Sequence, residues 1–222
     1  MNIIKLLANE CDVLLLQETI LNDENHIILD SIEDFNYAHV PSTRKIDVFV
    51  GRSSGGLAIL YRLFDGLKVT PVYETDRLMG LEINVNNSKI LLGNIYCNCD
   101  YGTTESSVEY MSIMADLHNF ADMNIYDNIV VAGDFNCDPS KGRFYRLLND
   151  FLDDSPFEIS DVQKLPQDSY TYISDNEQCS TSFIDHVLST DPSIVNDFNV
   201  LYGSSFYDHI PMLFIFDFLL RN

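Results

Sequence analysis

Four short segments of the chain place acids, amides or a histidine just beyond an apolar run. They are LLLQET with Glu18, VVAGDFN with Asp134 and Asn136, FIDHVLS with Asp185, and FYDHIP with Asp208 and His209. Groups at the ends of strands sit on loops held by a rigid scaffold, which is where enzymes commonly keep their reacting side chains. Several carboxylates converging there would repel one another unless a divalent cation lay between them. Mg2+ suits such a place, since it takes one or two carboxylates and leaves its other positions to water and substrate phosphate.

Each segment alone has a plainer reading. Glu18 is a solvated loop residue, and Gly, Asp and Asn all favour turns, so GDFN is a turn. Asp185 is a hydrogen-bonded structural acid, and D-H-x-P is a turn closed by Pro211. The four together, in this order, are harder to explain by turn chemistry.

The elements that must position these groups follow from hydrophobic patterning. Helices are expected over Asn2–Asn9, Asn25–Ile32, Ser106–Asp122 and Phe144–Phe151. Strands are expected over Asp12–Leu16, Asn36–Val40, Leu57–Tyr61, Lys68–Tyr73 and Leu78–Val85. Further strands follow over Lys89–Tyr96, Ile129–Ala132, Tyr170–Ile173, Ile184–Ser189, Ile194–Leu201 and Met212–Phe216. Asn86-Asn87-Ser88 makes a turn, so the strands on either side form a hairpin. About ten strands, many of them near-continuous apolar runs, imply sheets covered on both faces. Two packed sheets with helices outside satisfy this.

Composition sets bounds. With 222 residues the chain can bury a sizeable core without disulfides or a structural metal. No repeat, low-complexity segment or linker divides it, so it reads as one domain over residues 1–222. No apolar run approaches the ~20 residues that span a bilayer, and the N-terminus carries no secretory pattern. The five cysteines include no C-x-x-C pair, which points to reduced thiols in an intracellular compartment. Thirteen Lys and Arg against 34 Asp and Glu leave a formal charge of −21. Proteins that grip nucleic acid through many phosphate contacts are usually basic on at least one face. Any nucleic-acid role here must use a local cationic patch, bound metal or a basic neighbour.

The ordered series LLLQET, GGLAILYR, LLGNIY, VVAGDFNCDP, SFIDHVLS and YDHIPM resembles the endonuclease/exonuclease/phosphatase superfamily, which includes DNase I-like and apurinic endonuclease-like enzymes. The likeness runs from about Asp12 to Phe216. Its spacing and the GGLAILYR segment look closest to the endonuclease domains of non-LTR (LINE-type) retrotransposons. The resemblance implies a four-layer α/β sandwich, two mixed sheets flanked by helices, and phosphodiester hydrolysis with Mg2+ or Mn2+. Matched by motif, Glu18 is the metal-binding glutamate and Asp208 a second acid near the metal. Tyr96 contacts the scissile phosphate, Asp134 orients or deprotonates the attacking water, and Asn136 is the amide beside it. His209 contacts a phosphoryl oxygen and Asp185 orients it. A carboxylate at that place favours imidazolium and raises the pKa of His209. His186, next in sequence to Asp185, points to the other face of a strand and is expected to be structural.

The chain also departs from the pattern. The superfamily's first strand, carrying an Asn in N-x-x-G, normally lies some twenty residues before Q-E-T. Only 17 residues precede Glu18, and they read as the helix that follows that strand. The expectation is an N-terminally incomplete domain with its first strand missing. Tyr207 stands where Ser is common and Phe183 where Arg is common. Lys141, Arg143 and Arg146 either touch backbone phosphates or are solvated helix charges. The functions expected are DNA nicking within a nuclear retrotransposon protein fused to a reverse transcriptase, hydrolysis of a small or lipid phosphoester, or an inactive relic.

Overall fold

A computed structural model describes residues 2–42, 54–123, 125–140, 142–174, 179–202 and 208–216. Its helices are α1 (Asn2–Leu7), α2 (Thr104–Ala121) and α3 (Arg143–Asp153), with 3-10 turns at His26–Ser31 and Pro192–Ile194. The first strands are β1 (Val13–Leu16), β2 (Asn36–Val40), β3 (Leu57–Tyr61), β4 (Lys68–Glu74), β5 (Leu78–Val85), β6 (Ser88–Tyr96) and β7 (Asn128–Asp134). The rest are β8 (Glu158–Ile159), β9 (Tyr172–Ile173), β10 (Thr181–Ser182), β11 (Asp185–Ser189), β12 (Val195–Val200) and β13 (Met212–Phe216).

Six strands form the main sheet in the order β4-β5-β6-β7-β11-β8. β6 and β7 are parallel, while β5–β6 and β7–β11 are antiparallel. Strand alternation divides its side chains between two cores. Leu91, Ile95, Ile129, Val131 and Leu188 face α2 and α3. Leu92, Tyr96, Val130, Ala132 and Val187 face a second strand layer. That layer consists of β1-β3-β2 and, separately, the β12-β13 pair. Outside it, α1 and the 3-10 turn at His26–Ser31 cover Leu14, Ala58 and Leu60. The order helices, sheet, strands, helices is the four-layer α/β sandwich that the resemblance implies.

The β5–β6 hairpin turns at Asn86 and Asn87, which hold φ of 50° and 67°. Asn tolerates this left-handed region, as a tight hairpin requires. Helix α2 begins where the Thr103 hydroxyl accepts from the Ser106 amide, an N-cap.

Several boundaries differ from expectation. The segment 25–32 is a 3-10 turn rather than an α-helix, and regular pairing of the expected 170–173 strand is confined to β9. Thirteen strands occur among the described residues, not about ten, because β8 and β10 are two-residue pairings that carry no periodic signal. Among the described residues the second layer is not one continuous sheet: β1 pairs with β3 alone and β13 with β12 alone. Yet β1 and β13 pack on the same core, through Val13 and Leu15 from one and Phe214 and Phe216 from the other.

Candidate active site

Register brings the first three groups together. Tyr96 of β6 lies opposite Asp134 of β7, and Asp134 lies opposite Asp185 of β11. All three end their strands on the face that meets the second layer. Such an approach needs Gly133, since a Cβ there would lie 2.0 Å from the carbonyl oxygen of Ile95. This is the physical reason for the glycine in GDFN.

Asp134 is buried. One carboxylate oxygen accepts from the Asn136 backbone amide at 2.8 Å, and the other from Asn136 Nδ2 at 3.0 Å. Asn136 Nδ2 also donates to the Cys97 carbonyl at 2.8 Å. The Cys99 thiol donates to Asn136 Oδ1 at 3.4 Å. Burial, the charge of Asp185 and that of Glu18 push the Asp134 pKa up to about 8, against the opposing pull of His209.

Glu18 arrives from the second layer. The Tyr96 hydroxyl donates to Glu18 Oε1 at 2.5 Å. Glu18 and Asn136 each hold φ of 48°, a region costly for ordinary side chains. The loop carrying Glu18 is fastened by hydrogen bonds from Thr19 N to the Gly56 carbonyl and from Ile20 N to the Gly55 carbonyl. Gly56 holds φ of 88°, which L side chains rarely adopt, and a Cβ there would also meet Thr19 Oγ1 at 2.7 Å, so this position favours glycine.

His209 enters from the far side. Its backbone bridges Tyr172, and the following residue, Ile210, donates to the Thr171 carbonyl. His209 Nδ1 lies 3.3 Å from Asp185 Oδ2, while Nε2 lies 3.9 Å from Asp134 Oδ2. The second distance is beyond a hydrogen bond. Burial opposes charge on this imidazole, but the hydrogen bond and charge of Asp185, with Asp134 and Asp208, outweigh it and lift the pKa to about 9. Asp208 itself is exposed, and its carbonyl accepts from Ile173 N.

Among the described residues, no three His, Cys, Asp or Glu side chains form a ready metal cage. Mg2+ does not require one, since water and substrate complete its octahedron. The donor chemistry fits a hard cation: buried Asp134 sits beside the carboxylate of Asp185, and both burial and that charge raise its pKa.

The model of the endonuclease/exonuclease/phosphatase family matches residues 2–205 of the chain. The chain belongs to this family. Among solved structures, the endonuclease domain of TRAS1, a telomere-specific non-LTR retrotransposon, superposes with a TM-score of 0.69 at 16% identity. That match covers 98% of this chain and 91% of the other. The Neisseria 3' phosphatase NExo, bound to product DNA hairpin, gives 0.69 at 16% identity over 98% and 93%. A Bacteroides thetaiotaomicron mannosyl-6-phosphatase gives 0.60 at 18% identity over 96% and 90%. At such identities the likeness is one of fold. A search of curated protein sequences found no match.

The endonuclease/exonuclease/phosphatase assignment brings phosphoester hydrolysis with it and leaves the particular substrate open. Of the cations near GDFN, Arg143 is already engaged. Its Nε lies 2.9 and 3.0 Å from the two Asp100 oxygens, and it donates to the Thr103 carbonyl and the Ser106 hydroxyl. Arg143 therefore fits neither expected reading, phosphate contact or solvated helix charge; its partners lie about 40 residues away in sequence and are invisible to local pattern. Arg146 is exposed, whereas Lys141 and Tyr207 lie outside the described residues.

Patterning also missed Asn94 and Arg77. Asn94 is buried between the strand layers. It donates at 3.0 Å to the carbonyls of Leu16 and Ala58 and accepts from Gln17 Nε2 at 2.6 Å. An Asn inside the apolar run KILLGNIY was the available signal. Arg77 stacks its guanidinium 5.0 Å from the Tyr96 ring centroid and pairs with Glu109 at 2.8 Å. A groove of about 540 Å³ passes Gly55, Asp76, Arg77 and Glu109 beside the site.

His186 is buried on the helix side of β11, as alternation implies. Its Nδ1 lies 3.1 Å from Asp161 Oδ1 and its Nε2 2.9 Å from the Cys137 carbonyl oxygen. Phe183, in the place of the common Arg, sets its ring edge-on to His186 at 5.0 Å.

Proposed function

We propose that the chain hydrolyses phosphodiester bonds in DNA with the help of Mg2+ or Mn2+. The observation that carries this reading is the convergence of Glu18, Tyr96, Asp134, Asn136, Asp185 and His209 at one end of the sandwich. In it, Asp134 accepts the proton of the attacking water. Asn136 holds both Asp134 oxygens and so fixes the direction in which that proton is taken. His209, protonated and held through Nδ1 by Asp185, directs Nε2 at a non-bridging phosphoryl oxygen. Preorganised donors of this kind act on charge as it develops in the transition state. Tyr96 orients Glu18, which with Asp208 would hold the cation. When bound, the cation neutralises phosphate charge and the repulsion among the carboxylates.

The retrotransposon setting rests on the GGLAILYR resemblance and on the fold shared with TRAS1. A nuclear location and a reverse transcriptase fused to the domain would accompany it. A second reading, hydrolysis of a small phosphoester, is favoured by the formal charge of −21 and by the engagement of Arg143 with Asp100.

Supercoiled plasmid distinguishes the two. Nicking that EDTA abolishes and Mg2+ or Mn2+ restores is expected. His209→Ala should lower the rate about 10²-fold, as loss of one charge-stabilising donor does, and Asp134→Asn at least as much. Full activity in EDTA would refute the mechanism. Hydrolysis of a small phosphoester with no nicking would select the second reading.

A further inference from the structure

Tyr101 is 75% exposed, the most exposed of the large hydrophobic side chains described. It stands at the rim of the site, two residues after Cys99, whose thiol donates to Asn136 at 3.4 Å. Glu18 of the site and Glu109 of the adjoining groove are both near enough to raise its phenol pKa, after the nearer influences of Cys99 and burial.

The loop that carries this ring is pinned on both sides. Before it, Asn98 Nδ2 donates to the Ser106 carbonyl at 2.9 Å. Asp100 is gripped by Arg143 and also accepts from Gly102 N at 2.8 Å. After it, Thr103 accepts from Arg143 through its carbonyl and caps α2. A large apolar ring is thus held in solvent on a fixed loop, with its faces uncovered.

We infer that Tyr101 is a stacking platform for an unpaired nucleobase next to the scissile phosphate. The inference rests on the phosphodiesterase reading above and narrows its substrate to single-stranded or frayed nucleic acid. The charge of the chain points the same way. Arg77 and Arg143, the cations that frame the site, are both tied up in ion pairs. With the chain at −21, backbone phosphates have little to hold them, so affinity must come from uncharged contacts. An aromatic face supplies such a contact to any base, because every base presents a π-face. A base inside a duplex has both faces covered by its neighbours and cannot use the platform.

Binding tests this without catalysis. The full chain in EDTA is titrated against fluorescently labelled oligothymidylate, the same oligomer with abasic residues, and a blunt duplex. Stacking is worth enough that Tyr101→Ala should weaken oligothymidylate binding about tenfold. Tyr101→Phe and Tyr101→Trp should retain it, whereas Tyr101→Leu, apolar but not aromatic, should lose it. The abasic oligomer and the duplex should bind weakly to the wild-type chain, and the thymidylate affinity should depend only shallowly on salt. Equal affinity of wild type and Tyr101→Ala for oligothymidylate overturns the inference. So does preference for the duplex or the abasic oligomer, or no binding at all. These results are separable from failure of the phosphodiesterase reading. In that case the chain with Mg2+ or Mn2+ would hydrolyse neither plasmid nor a chromogenic phosphodiester such as bis-p-nitrophenyl phosphate.

Discussion

Gln17 donates a 2.6 Å hydrogen bond to Asn94, across 77 residues of sequence and between the two strand layers. Because Asn94 also holds the carbonyls of Leu16 and Ala58, one buried amide fixes the ends of β1 and β3 at the point where Glu18 leaves the sheet. Its three bonds use both donors and one acceptor position of the amide. Leucine would fill the volume and leave two carbonyls and the Gln17 amide unpaired. Each buried polar group left unpaired costs about 1–3 kcal/mol. Asn94→Leu should therefore lower the melting temperature by roughly 5–10 °C in a chain of this size. It should also weaken hydrolysis through displacement of Glu18. A variant with unchanged melting temperature would show that the amide is replaceable.

The titration of the site predicts a dependence of stability on pH. Asp134 is raised to about 8 and His209 to about 9, so both bind a proton more tightly in the folded chain than in the unfolded one. Stability from such groups is fully present below the unfolded pKa and is lost as pH rises through the folded value. For Asp134 the loss runs from about pH 4 to 8, and for His209 from about pH 6.5 to 9. In EDTA the melting temperature should fall across this window, and Asp134→Asn should flatten the fall. Added Mg2+ or Mn2+ competes with the proton for the carboxylates. Its stabilising effect, read by thermal denaturation, should therefore grow from pH 6 to pH 8. A cation effect that shrank with rising pH would contradict this.

Part of this arrangement is legible in the sequence itself. Alternation along DHVLS sends His186 to the face opposite Asp185, and the structure places it there, buried against the helix side. Asn86-Asn87 marks its hairpin because the left-handed region is encoded locally. Pairings remote in sequence were not legible. The ion-pair partner of Arg143, Asp100, lies 43 residues away, and nothing in the EISD segment announces Asp161 as the partner of His186. The break in the second strand layer was also hidden, since a strand's own pattern does not tell which of its edges is paired.

His186 and Asp161 offer a contrast between structure and chemistry. The Cys137 carbonyl can only accept, so Nε2 must donate to it. Nδ1 then faces a carboxylate that also accepts the Val187 amide at 2.5 Å. Burial opposes the imidazolium, but the charge and hydrogen bond of Asp161, followed by the Cys137 side chain, outweigh it and hold the pKa well above the usual value. Removing one partner of a buried charge pair costs about 3–5 kcal/mol. His186→Ala should therefore lower the melting temperature by roughly 10 °C. Well below the midpoint, its hydrolytic rate should fall far less than that of His209→Ala. Changing Asp161 to Asn as well should recover part of the loss, because no unpaired charge remains. Loss of rate on the scale of His209→Ala, with the fold intact, would place His186 in the chemistry.

The last prediction concerns β1 and β13. Each keeps one edge without a strand partner among the described residues, although both pack on the same core. Unpaired edges expose backbone N–H and C=O groups and invite association with other chains. The N-x-x-G strand of the family pattern is absent from residues 1–17, which begin instead with α1. Open edges on β1 or β13 would show as association of the chain on moderate heating. An extension of about 20 residues ahead of Met1, carrying a strand with N-x-x-G, should raise the melting temperature by satisfying exposed edge groups. It should raise the hydrolytic rate as well, since the Asn would bring an amide to the cluster formed by Glu18, Asp134 and His209. Replacing that Asn with Ala in the extended chain separates the two effects: the melting temperature should stay high while the rate falls back. An extension that changes neither property would mean that these edges take no strand, and that residues already present complete the site.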